Sequence, residues 1–231
     1  MEDLTKLEKK LNLDFKDKNI LKMAFTHRSY LNEHPDESLG HNERLEFLGD
    51  SVLGLVVSKH LYIEHPLQPE GDLTNFRSSL VNARMLSRAA KQLNLGSFLY
   101  LSRGEEATGG RERQYILANT FEALIGAIFL DQGINVAEKF IEKHLLPNLK
   151  EIIEQNLYKD FKSQLQEKAQ EKSGVTPVYK VIEEKGPDHA KIFRTAVFLG
   201  QKKLAEGDGN SKQEAEQVTA KVALENWLKV S

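Results

Sequence analysis

The chain has 231 residues, 40% of them hydrophobic, no cysteine and a formal net charge of -2. That length and apolar content suffice for one or two domains with buried cores, while the lack of cysteine excludes disulfide scaffolds, zinc–thiolate sites and thiol nucleophiles. Near-neutral charge also means that a nucleic-acid partner has to be argued from local features, not from bulk electrostatics.

The first residues, MEDLTKLEKK, are charged and lack the apolar core of a signal peptide. No run reaches the roughly 18 apolar residues of a membrane span. The expectation is a soluble, cytoplasmic protein without a membrane partner. Up to about Tyr158 the pattern is helical: Leu4, Leu7 and Leu11 fall at i, i+3 and i+7, and similar spacings recur between short Asn, Gly or Pro breaks. The run Ile116 to Leu130, ILANTFEALIGAIFL, predicts a helix buried on most sides, with Asn119 and Glu122 as polar intruders. Near Asp160 the pattern changes. A helix over Phe161 to Lys172, closed by Gly174, precedes the β-rich stretches PVYKVIEE and KIFRTAVFL, which are separated by the turn-forming KGPDHA. A third short strand, KKLAEG, leads to a last helix that opens on a capping box, Ser211 with Glu214, and carries Ala220, Ala223, Leu224 and Trp227 as one apolar stripe. From Asp160 onward there are 12 basic and 11 acidic side chains, against 20 and 23 before it, a small split in charge.

The segment HNERLEFLGDS places Glu43, Glu46 and Asp50 at i, i+3 and i+7, on one face of a helix. Asn42 capping that helix, with Glu43 and Glu46 meeting its positive end, is one explanation of the first two acids. It does not cover Asp50, which follows Gly49; both are poor helix formers inside an apolar helix, and such a break in local rules suggests a site. Like charges stacked on one face repel unless a cation lies among them, and Mg²⁺ takes oxygen ligands. Asn119 and Glu122, at i and i+3 in the buried run, need partners of their own. A metal shared between the two helices satisfies both, and a buried ion pair of Glu122 with an arginine is the alternative. Acidic ligands around Mg²⁺ suit phosphodiester hydrolysis.

HNERLEFLGDS, with THRSY upstream and ILANTFEALIGAIFLD downstream, closely resembles the catalytic domain of bacterial ribonuclease III. KDFKSQLQEKAQ, GPDH and GNSKQEAEQVTAKVALE resemble a double-stranded RNA-binding domain, so the resemblance covers essentially the whole chain. It implies an all-α endonuclease domain over residues 1–155, followed by a small α+β (α-β-β-β-α) double-stranded RNA-binding domain over 160–229. It further implies a homodimer that cuts both strands of duplex RNA with Mg²⁺, Mn²⁺ being able to substitute. The products would carry 5′-phosphate and 3′-hydroxyl ends with short 3′ overhangs, in ribosomal and messenger RNA processing. By motif match, Glu46, Asn119 and Glu122 are metal ligands, and Asp50 and Glu122 lie closest to the chemistry. Glu43 and Glu70 are supporting acids, and Phe47 is a knob inserted into the partner subunit. One departure is Asn119, where the family usually has Asp; an amide oxygen still binds a hard cation but one negative charge is lost. Another is Gln213, where relatives commonly carry Lys.

A-form duplexes are read by shape across the minor groove, through 2′-hydroxyls and phosphates. Gln166, Glu167 and Gln170 on the first helix of the C-terminal domain, Pro187 to His189 as a probing loop, and Lys212 at a helix N-terminus are the expected contacts. His27 reads as a structural histidine, and the loop GEEATGGRERQ lacks the spacing of a phosphate-binding motif. Two rivals stand beside the enzyme reading: a non-catalytic double-stranded RNA-binding protein on the same scaffold, motivated by Asn119, and a nuclease or phosphatase with another substrate.

Overall fold

The computed structural model describes residues 3–156, 158–187 and 191–229, which divide into two compact units, Met1–Tyr158 and Lys159–Ser231. The first extends beyond residue 155 because the Tyr158 ring packs edge-on against Phe76, their centroids 4.5 Å apart.

The first unit is helical: α1 (Leu4–Leu11), α2 (Lys18–Ala24), α3 (Arg28–Glu33), α4 (Glu43–Glu64), α5 (Glu70–Leu80), α6 (Ala83–Gln92), α7 (Arg103–Ala107), α8 (Gln114–Gln132), α9 (Ile134–His144) and α10 (Pro147–Glu154). Two short 3₁₀ turns, Leu95–Phe98 and Gly110–Glu112, complete it among the described residues. The apolar run forms α8, and Ile116, Leu117, Phe121, Leu124, Ile125 and Ile128 are all buried. With α8 taking up so much apolar surface, α4 contributes Leu45, Val52, Leu53, Val56, Val57 and Leu61 to the same core.

Two glycines set how closely these helices approach. A β-carbon added at Gly49 would collide with the carbonyl oxygen of Glu122 and stand 3.0 Å from the Gly126 nitrogen. One added at Gly126 would collide with the carbonyl oxygen of Leu45. Gly49, which the sequence pattern alone marks as a helix defect, is thus a contact point where two backbones touch. The cost of about 1 kcal/mol for glycine in a helix is offset by that packing.

The approach to α4 is fixed by its surroundings. Asn42 donates through its backbone N–H to Thr26 (2.9 Å) and through its side chain to Ala24 (3.4 Å). Asn42 therefore does not cap α4 with its side chain, as the sequence pattern suggests; being buried, it ties the helix start to the preceding segment instead. That segment is held in turn by backbone bonds from His27 to Tyr100 and from Tyr100 to Phe25.

The second unit has α11 (Phe161–Ser173), β1 (Val178–Lys185), β2 (Ile192–Leu199), β3 (Lys202–Gly209) and α12 (Lys212–Lys229), with the strands antiparallel in the order β1-β2-β3. Gly174, at φ 67°, ends α11. β3 runs two residues further than KKLAEG, because Gly207 and Gly209 serve to admit α12. A β-carbon at Gly207 would stand 2.8 Å from the Thr219 nitrogen, and one at Gly209 would collide with the Ala215 nitrogen. Thr219 fastens the helix by donating its hydroxyl to the Thr195 and Ala215 carbonyls, at 3.0 and 2.6 Å. Ser211 accepts from the Glu214 N–H, while Glu214 accepts from Asn210, one residue earlier than a capping box requires.

Gly49→Ala is expected to destabilise the first unit by about 1–3 kcal/mol or more, as overpacking against fixed backbone does. Gly71→Ala in α5, where a β-carbon meets nothing within 4 Å, is expected to be neutral or stabilising by up to ~1 kcal/mol. Thermal unfolding of the two variants beside the parent checks this, and equal melting temperatures would contradict the close crossing.

Candidate functional site

α4 and α8 touch at Gly49 and Gly126, which brings polar residues of the two helices toward one another. Glu46 and Asp50 come from α4, Asn119 and Glu122 from α8. Burial is the main cause that pushes the Glu46 carboxyl above its ordinary range, followed by the charge of Glu43; the Asn119 amide pulls it back by hydrogen bonding, and Asp50 adds to the push. Glu122 is pushed up to about 8, first by burial and then by the charges of Asp50 and Glu46. No basic side chain offsets this at Glu122, so an arginine ion pair does not account for its position.

The predicted residues are not all gathered equally. Glu43 is exposed and turned toward cations, with Arg28 at 3.7 Å and His41 at 3.8 Å. Glu70 heads α5, where it accepts from the Thr74 hydroxyl at 2.9 Å. Its described partner is Thr74, not Glu46, Asp50, Asn119 or Glu122. A cavity of about 360 Å³ adjoins the crossing, lined by His27, Arg28, Asn42, Glu43, Glu46, Tyr115, Ile116 and Asn119. Arg28 and Tyr115 were not singled out from the sequence, although THRSY and the residue before the apolar run contain them. His27 caps α3, its Nδ1 lying 2.8 Å from the Ser29 hydroxyl, and burial lowers its pKa.

The donors are hard oxygens with uncompensated negative charge, which suits a divalent cation such as Mg²⁺. Among the described residues no three His, Cys, Asp or Glu side chains come close enough to enclose an ion by themselves. Mg²⁺ usually keeps several waters and so draws on few protein donors, of which Glu46, Asn119 and Glu122 are the candidates.

On the second unit, Gln166, Glu167 and Gln170 are exposed on α11, and Pro187 is exposed after β1. Lys212 starts α12 with 61% of its side chain exposed. His189 lies outside the described residues. Phe47 is 77% exposed, so it is not an ordinary core aromatic; Leu55, on the same helix, is 62% exposed.

A family model described as ribonuclease-III-like matches residues 17–149, and one for the double-stranded RNA binding motif matches 161–226. The chain belongs to the ribonuclease III family. It is 46% identical to ribonuclease 3 of Oceanobacillus iheyensis over 97% of this chain and 98% of that one. To ribonuclease 3 of Pelotomaculum thermopropionicum it is 44% identical over 96% of this chain and 92% of the relative. The nuclease domain of ribonuclease III from Campylobacter jejuni superposes with a TM-score of 0.59 at 42% identity, covering 63% of this chain and 98% of that structure. That structure is described as flexible in a region involved in dimer formation. Among the described residues no helix is long and apolar enough to cross a membrane.

The Glu122 carboxyl gives the site a pH signature. A glutamate titrates near 4.5 in the unfolded chain and here near 8. The fold favours its protonated form, so the stability this gives is complete below about pH 4.5 and lost as pH rises through 8. In chelator, Glu122→Gln is expected to melt above the parent at pH 9 by at least ~2–4 °C, the shift produced by about 1 kcal/mol in a protein of this size. The gap should close by pH 5; a gap of equal size at both pH values would contradict the raised carboxyl.

Proposed function

We propose that this family member is a working double-stranded RNA endonuclease whose hydrolytic centre is the group Glu46, Asp50, Asn119 and Glu122. The observation that carries the reading is the meeting of these four donors at a glycine-to-glycine helix crossing, with the Glu122 carboxyl pushed to about 8 by like charge and burial. Glu46, Asn119 and Glu122 would hold Mg²⁺, or Mn²⁺ in its place. The bound ion would supply a more acidic water and charge stabilisation on the phosphoryl oxygens. Asp50, exposed beside Gly49, would orient water and take its proton. Glu122 gives up its own proton when positive charge arrives, since its raised pKa comes from uncompensated negative neighbours. Glu43 acts at one remove, holding Arg28 at the cavity mouth. Glu70, at the start of α5, supports the site as an acid brought up by the bound duplex.

The duplex is held across its minor groove by Gln166, Glu167 and Gln170, by Pro187 and His189, and by Lys212 on a phosphate. Two copies pair through α4, with Phe47 as the knob, so that two centres address the two strands and leave 5′-phosphate ends with short 3′ overhangs. The exposure of Phe47 and Leu55 on the outer side of α4 supports this pairing, since large apolar side chains in water gain by being covered. Structured ribosomal and messenger RNA precursors are the fitting substrates. Phe47→Ala is expected to shift the protein from dimer to monomer at micromolar concentration in sedimentation; an unchanged dimer would refute the knob.

Asn119 favours one alternative, a duplex binder with a disabled centre. Cleavage of a labelled duplex separates the two. The expected result is cleavage that needs Mg²⁺, falls by at least about 100-fold in Glu122→Gln, and reaches half-maximum at lower Mg²⁺ in Asn119→Asp. A duplex that is bound but stays intact until Asn119 is made Asp would establish the alternative.

A further inference from the structure

Lys212 is the first residue of α12, where the helix dipole presents its positive end and a cation is poorly placed. It is also the only basic residue in that first turn, since Gln213, Glu214 and Ala215 follow it. The second unit compensates with an acid from another element. Glu184, near the end of β1, places Oε1 3.3 Å from the Lys212 ammonium and Oε2 3.3 Å from that of Lys191, the residue before β2. The Lys212 ammonium also stands 5.6 Å from the centre of the Phe193 ring. The Lys191 and Lys212 ammonium groups hold the Glu184 carboxyl below its ordinary range. One carboxylate therefore joins three elements, β1, the start of β2 and the start of α12, around the cation assigned to an RNA phosphate.

We propose that Glu184 is an internal counter-ion that competes with the backbone phosphate of duplex RNA for Lys212, and thereby sets the affinity of the second unit for its ligand. The proposal rests on the duplex-binding reading of Lys212 given above. A carboxylate and a phosphodiester present the same feature to an ammonium group, an anionic oxygen at hydrogen-bond range. The side chains of Glu184 and Lys212 remain 37% and 61% exposed, so their pair is open to exchange. Exposed pairs of this kind are weak, worth about two- to five-fold in an equilibrium constant. In the free protein the pair relieves the unfavourable placement of Lys212. When the phosphate arrives, the same helix end and the same lysine favour it, and Glu184 keeps Lys191 as its partner. The neighbouring Glu183 is engaged elsewhere, 2.9 Å from Lys185 and 3.9 Å from Arg194, and provides a matched control of equal charge.

The test is equilibrium binding of the full chain to a labelled RNA duplex in chelator, with the parent, Glu184→Gln, Glu183→Gln, Lys212→Ala and the Lys212→Ala, Glu184→Gln double variant. Glu184→Gln is expected to tighten binding about two- to five-fold, more than Glu183→Gln, and to have no effect once Lys212 is Ala. Equal tightening by the two glutamate variants, or tightening that persists without Lys212, would reduce the effect to bulk charge and overturn the proposal. Weaker or unchanged binding by Glu184→Gln, with its melting temperature retained, would overturn it by making Glu184 a positioning residue or a bystander. A parent chain that does not bind the duplex would instead overturn the functional reading, and the proposal with it.

Discussion

The contact between the backbones of α4 and α8 governs the first unit. Gly49 and Gly126 remove the side chains that would separate the helices, and the space saved is used to bring four polar side chains together beside an apolar core. Without that approach Glu46 and Asp50 would be an ordinary acidic surface, and Glu122 a polar defect in a buried helix. With it, burial and the charges of neighbouring acids raise the Glu46 and Glu122 carboxyls. Like charges at a partly desolvated site push carboxyl pKa values up, and a cation or protons must resolve the conflict. The fold accepts that local cost because α8 and α4 bury a large apolar surface elsewhere along their length.

The second unit applies the same device to a sheet. Gly207 and Gly209 on β3, opposite Ala215 and Thr219 on α12, let the helix lie close against the strands, and the buried Thr219 hydroxyl replaces lost side-chain packing with two hydrogen bonds. Its apolar cluster is small, built on Leu165, Val197, Ala205, Ala220 and Ala223. The polar surface of the unit is then left to recognition, where charges such as Glu184 and Lys212 meet across different elements.

Much of this was legible in the sequence, and the reasons are local. Apolar period and turn residues announced α8, α11 and the three strands, because those elements bury one face and end on Gly or Pro. HNERLEFLGDS announced its acids because helical spacing alone brings Glu46 and Asp50 to one side. What was not legible depends on contacts between distant segments. Asn42 reads as a helix cap, but its side chain is claimed by Ala24. The third strand reads as ending at Gly207, since nothing in a one-dimensional pattern shows the helix that needs the glycines there. Arg28 joins the cavity only because the bonds between Thr26, Tyr100 and Asn42 fold THRSY back against α4.

The crossing at Gly49 and Gly126 also limits how this site can vary. A slide of α8 along α4 by one turn in either direction would bring a β-carbon to a point where only a hydrogen now fits. The two helices therefore have one permitted register, and the donors on them cannot drift gradually toward or away from one another. Change has to come by exchanging one side chain for another of the same size in place. Asn119→Asp would be such an exchange: a carboxylate of equal shape in place of an amide, altering the local charge by one unit while leaving the crossing alone.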